Sequence, residues 1–88
     1  MEKEETTKKL IHQLKIVRGQ IDGIIKMVEK QNSCTDILTQ TAAADKGLKR
    51  AATLLLENQM YNCAQSLEGA DDMDHKVQEL LSVFKKFL

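Results

Sequence analysis

Eighty-eight residues with no proline, four glycines and only three aromatic residues (Tyr61, Phe84 and Phe87) describe one small all-α domain. So short a chain buries too little surface for a large core of its own, and the scarcity of aromatics points to a core completed by oligomerisation. A formal net charge of zero excludes a uniformly basic nucleic-acid binder, yet residues 8–30 carry six basic and two acidic side chains, which leaves room for a local basic patch.

No apolar run approaches the length of a membrane span and no signal peptide opens the chain, so the expectation is a cytoplasmic protein without a membrane partner. In that compartment a static disulfide is unusual. The two cysteines, Cys34 and Cys63, are then buried apolar residues, metal ligands or redox groups.

The first helix is expected over about 7–30, capped by Thr6 or Thr7 behind a frayed, charged segment 1–5. Leu10, Leu14, Val17, Ile21, Ile24, Ile25 and Val28 recur at spacings of three and four and form its apolar stripe. Gly19 and Gly23 sit four apart inside it, where missing side chains would let another helix approach. The helix ends near Lys30-Gln31-Asn32.

Ser33-Cys34-Thr35-Asp36 then matches the capping pattern Ser/Thr-x-x-Asp/Glu and opens a second, long helix over about 33–67. With Ser33 as the cap, Cys34 is the first helical residue. There, free amide groups and the helix dipole favour an anion, so this thiol is placed to react. Asp45-Lys46-Gly47-Leu48-Lys49 contains one breaker and none of the other turn residues a hairpin brings, so the helix reads as continuous. Gly47 falls close to the midpoint between the cysteines, where antiparallel copies would cross at a two-fold axis.

Roughly 29 steps of about 1.5 Å hold Cys34 and Cys63 on the order of 40 Å apart. They cannot meet within one straight helix. They can meet between two such helices running antiparallel. After Gly69 as a stop, Asp71, Asp72 or Asp74 starts a third helix ending near residue 87, with Val77, Leu80, Leu81, Phe84 and Leu88 on its apolar face. That helix is expected to pack over the first two, its range being about 73–87.

Enzymatic constellations are missing: there is no phosphate-binding glycine loop and no close-paired zinc motif, and His12 and His75 have no triad spacing to a cysteine. The expectation is a protein that is not an enzyme and holds no cofactor. Two soft thiolates suit Cu(I) or zinc, but the residue one turn before Cys63 is Gln59, a poor soft-metal ligand. Two thiolates without a histidine suit sulfur chemistry better, one attacking an oxidised sulfur and the other resolving the adduct.

Three segments carry a resemblance over nearly the whole chain: Val17-Arg18-Gly19-Gln20-Ile21-x-Gly23-Ile24, Cys34-x-Asp36-Ile37-Leu38-Thr39-Gln40, and Leu55-Leu56-Glu57-Asn58 leading to Cys63. They resemble the CsoR/RcnR family of all-helical bacterial repressors. The resemblance implies a three-helix protomer, a core dimer with antiparallel second helices, and a tetramer formed as a dimer of dimers. It also implies operator DNA as a partner, released when an inducer occupies the cysteine site. Cys34 and Cys63 match the family's sensing cysteines, while Gln59 stands where the copper, nickel and formaldehyde sensors carry histidine. Glu79 matches a glutamate flanking the copper site, but Ser33 replaces the tyrosine that accompanies it. That pattern is similar to the persulfide-sensing CstR branch, whose inducers are inorganic or low-molecular-weight persulfides and polysulfides, with no metal site. A Cu(I)-sensing repressor is the alternative, and a helical interaction or thiol-transfer module without DNA binding a more distant one.

Arg50 matches a basic family position and Lys15 lies in the basic part of the first helix, whereas Gln13 and Ile16 replace arginines common in relatives. Lys8, Lys9, Lys15, Arg18, Lys46, Lys49 and Arg50 are the candidate phosphate contacts. No motif places a recognition helix in a groove, so backbone contact and DNA shape would supply much of the affinity, with steep salt dependence.

Overall fold

The computed structural model describes residues 2–65 and 73–87, with side chains over 5–57 and 74–87. Three helices follow in order: α1 Glu2–Glu29, α2 Cys34–Gln65 and α3 Met73–Phe87. The expected stop at Gly69 and starts at Asp71 and Asp72, together with Ser66, Leu67 and Leu88, lie outside the described residues. α1 begins earlier than the capping argument placed it. Thr6 and Thr7 are inside the helix, and residues 2–5 are helical rather than frayed. Acidic residues are favoured at a helix amino end, and Glu5 falls one turn before Lys9, so the charged segment extends the helix.

α1 stops at a glutamine. Gln31 adopts the left-handed conformation (φ 57°). Its amide donates to the Val28 carbonyl at 3.1 Å, while Asn32 donates to Met27 at 3.0 Å. Those are the two hydrogen bonds of a Schellman ending, whose left-handed position glycine fills at least cost.

The two long helices pack antiparallel, and heptad spacing explains how. Along α1, Leu10, Gln13, Val17, Gln20, Ile24 and Met27 are buried or half-buried. Along α2 the same alternation of three and four picks out Ile37, Gln40, Ala44, Gly47, Ala51 and Leu54. At the crossing, a Cβ added to Gly47 would lie 2.9 Å from both Val17 Cγ2 and Gln20 Oε1. Gln13 Nε2 donates to the Gly47 carbonyl at 3.0 Å. The glycine is therefore required by α1 of the same chain. α2 runs through it unbroken.

Only Val17, Ala44 and Ala51 are buried among the described apolar residues, and none of them completely. The broad α1 stripe splits in two, because one neighbouring helix covers only one seam. Its second half, Ile11, Leu14, Ile21, Ile25 and Val28, remains open, with Ile21 47% and Val28 55% exposed. α3 is a correction as well: its described residues pack against α2 alone rather than over both long helices. Val77, Leu80, Leu81 and Phe84 are half-buried there, and the Phe84 and Phe87 rings lie 6.5 Å apart.

The protomer is consequently long and thin. Its Cα extents are 52 × 30 × 17 Å and its radius of gyration is 16.5 Å, where a compact domain of this length has about 12 Å. It exposes 6756 Å², against about 5,200 Å² for a compact chain of this mass. The excess, on the order of 1,500 Å², follows from the elongated shape.

Candidate functional site

Ser33 caps α2 as its hydroxyl chemistry allows. Its Oγ accepts the Asp36 amide at 3.2 Å, and its carbonyl accepts the Ile37 amide at 3.1 Å as the first helical bond. Cys34 is the first residue of the helix and is exposed. With the Asp36 amide occupied by the cap, the amides of Cys34 and Thr35 project from the helix end beside the thiol. A thiol in this place is accessible to a soluble electrophile or to a second chain.

Cys63 lies near the other end of the same unbroken helix. At 3.6 residues per turn, positions 34 and 63 are separated by about eight whole turns plus roughly 20°, so they share one face of α2. Cys34, Leu38, Thr41, Asp45, Leu48, Ala52, Leu55, Gln59 and Cys63 run along that face at spacings of three and four. α3 closes part of it at Ala52, Leu55 and Leu56, and beside it an apolar trough of about 250 Å³ runs between Leu10, Leu14, Leu48, Ala51, Ala52, Leu55 and Phe87. The rest is open, Leu38 being 68% exposed. Cys34, Leu38 and Leu48 are exposed on this face, and the midpoint between positions 34 and 63 falls between Leu48 and Lys49.

Gln59 is one helical turn before Cys63 on that face. Glu79 is exposed on α3, and Ser33 serves the backbone as a cap. Among the described residues, no group of three or more His, Cys, Asp or Glu side chains converges as a metal site would need. His12 and His75 are both exposed, on different helices.

The seven basic candidates do not form one surface. Lys8 and Lys15 share an exposed α1 seam with His12, Gly19, Asp22 and Lys26. Arg18 belongs to a different seam, the open apolar one, between Leu14 and Ile21. Lys9 lies towards the edge that meets α2. On α2, Lys46 and Arg50 are exposed one turn apart, whereas Lys49 is tied to Asp45 at 3.1 Å. The sequence reading merged the two apolar seams and left out Ile11. The signal that separates them is the strict alternation Ile11, Leu14, Arg18, Ile21, Ile25, Val28, a second heptad register beside the buried one.

The protomer is thus an antiparallel α1–α2 pair with a short α3, and α2 carries a cysteine position near each end. Residues 6–86 match the family model described as metal-sensitive transcriptional repressor, and the chain belongs to that family. It is 38% identical over 86 residues to the copper-sensing transcriptional repressor CsoR of Bacillus subtilis (strain 168), covering 98% of this chain and 81% of that one. Against the CsoR of Mycobacterium tuberculosis (strain ATCC 25618 / H37Rv) the identity is 33% over 97% of this chain and 73% of the relative. The nickel-responsive transcriptional regulator InrS has the same fold, with a TM-score of 0.65 and 30% identity over 92% of this chain and 91% of its own. All three relatives are named as transcriptional repressors or regulators, and no helix of the described residues is long and apolar enough to cross a membrane.

Proposed function

We propose that this chain is a cytoplasmic repressor that binds operator DNA as an assembly of antiparallel dimers, in the family manner a tetramer, and releases it when reactive sulfur joins two α2 helices. The observation that carries this reading is that positions 34 and 63 share one face of α2, with Gln59 in the turn before Cys63. Packing that face against its two-fold mate sets Cys34 of one protomer beside the partner subunit's Cys63 at both ends of the pair. It also buries Leu38 and Leu48, which the protomer leaves open.

The chemistry uses the two thiols only. The Cys34 thiolate attacks the outer sulfur of a persulfide, the S–S bond breaks, and the departing thiolate leaves Cys34 as a persulfide. The partner subunit's Cys63 thiolate then attacks the Cys34 sulfur and expels hydrosulfide. The thiol pair is oxidised by two electrons to a disulfide, and one sulfane sulfur is reduced to sulfide. A polysulfide that delivers further sulfur before resolution leaves a tri- or tetrasulfide. Crosslinking both ends biases the assembly towards the shape that does not fit the operator.

A second reading is favoured by the relatives named as copper-sensing. The same two thiolates would hold Cu(I), with no third soft ligand offered at position 59. One experiment separates the two. Reduced protein is treated with inorganic polysulfide and analysed by non-reducing mass spectrometry, in parallel with Cu(I) titration against a strong chelator. The sulfur reading expects crosslinked dimers with added sulfur, and variants Cys34→Ser and Cys63→Ser that keep DNA binding but lose the response. Unmodified thiols together with tight one-to-one Cu(I) binding that releases DNA would give the site to copper.

A further inference from the structure

α1 presents three seams. One is buried on α2. One is apolar and open, and suits a second copy of the chain. The third, Lys8, His12, Lys15, Gly19, Asp22 and Lys26, is exposed and has no apolar member along it. Gly19 stands in the middle of this third seam, and a Cβ built on it meets nothing within 4 Å. Gly47 is needed by its own chain and Gly23 lies against Gln40, whereas Gly19 has no reason inside the protomer. A glycine in a helix interior lowers stability, so its place is explained by something outside the chain that comes close to the helix backbone.

The geometry points to a DNA sugar–phosphate strand as that object, with Gly19 as the point where it comes closest to α1. Lys15 one turn before and Lys26 two turns after flank the glycine, with Lys8 and His12 beyond, so the seam carries positive charge spaced along a gap without a side chain. Asp22, its only acid, lies one turn from both Arg18 and Lys26, which offset it. A second copy would instead find a polar, charged strip with no apolar residue to bury. This inference rests on the repressor reading and assigns one of that site's contact points.

Gly19→Ala tests it, since it adds one methyl group and removes no charge. A duplex selected by the wild-type protein from a random library serves as probe. The variant is expected to melt about 4 °C higher, because alanine favours the helix, and to keep the wild-type mass in sedimentation. Its affinity for the selected duplex falls about tenfold from the steric displacement, with an unchanged salt slope. Lys15→Ala lowers that slope by about one instead. Equal affinity of Gly19→Ala and wild type overturns the inference, and so does a loss of binding that only follows a change in mass, which would assign Gly19 to a contact between copies. If the wild-type protein selects no duplex at all, the repressor reading itself fails.

Discussion

The crossing of α1 and α2 at Gly47 and the open α2 face that bears the cysteines obey opposite rules. At the crossing, backbone approaches backbone, Val17 and Gln20 leave no room for a Cβ, and the buried residues Val17, Ala44 and Ala51 cluster close by. Along the open face, Leu38 and Leu48 face solvent, and so do Ile21 and Ile25 on α1. The first region holds the protomer together. The second has the composition of a core and lacks the other half. Under the function proposed above, a sensor on the second region would read the state of the assembly, because its two thiols would meet only when another chain supplies the missing surface.

The largest expected effect comes from attacking the open side. Ile21→Glu should leave helicity by circular dichroism nearly unchanged while sedimentation shows protomers. Two copies of the change per dimer, each forfeiting about 2 kcal/mol of apolar burial, shift association roughly a thousandfold. An unchanged mass would mean that the α1 seam is not part of the interface. Breaking the other side is a folding experiment. Gly47→Val inserts branched carbons where the added Cβ already meets Val17 and Gln20, and should cost about 3 kcal/mol in urea unfolding. The smallest effects lie at the junction before Cys34. Gln31→Gly relieves the left-handed backbone and should stabilise by about 1 kcal/mol, and Ser33→Ala should cost about as much by removing the cap.

Much of the fold was readable because its signals are local. Ser33 as cap, the end of α1 at Gln31 and the continuity of α2 each depend on a few neighbouring residues. The early start of α1 was missed because a capping threonine weighs less than a run of acids at a helix amino end. Which seam of α1 faces inward was not readable, since Leu14 and Val17 are equally apolar and only the geometry of the α2 crossing selects Val17. The role of Gly47 was misjudged for the same reason, as a glycine at a midpoint looks alike whether the close neighbour is its own chain or a copy. The candidate site was drawn from residue types and spacing. The two cysteines and Gln59 stand out by spacing, while the seven basic candidates proved to lie on several faces, a distinction that needs the packing of α1 on α2.

The eight-turn interval between the cysteines also limits how this chain can diverge. A single inserted or deleted residue between Glu57 and Asn62 would swing position 63 away from the shared face by about 100°, while leaving the α1–α2 seam, whose last member is Leu54, in register. On the proposed function, such a change would leave a folded protein without the thiol pair that its response needs. Lineages that keep the pair are therefore expected to vary the length of α2 in whole heptads or outside the cysteines, and to tolerate length changes most easily after Cys63.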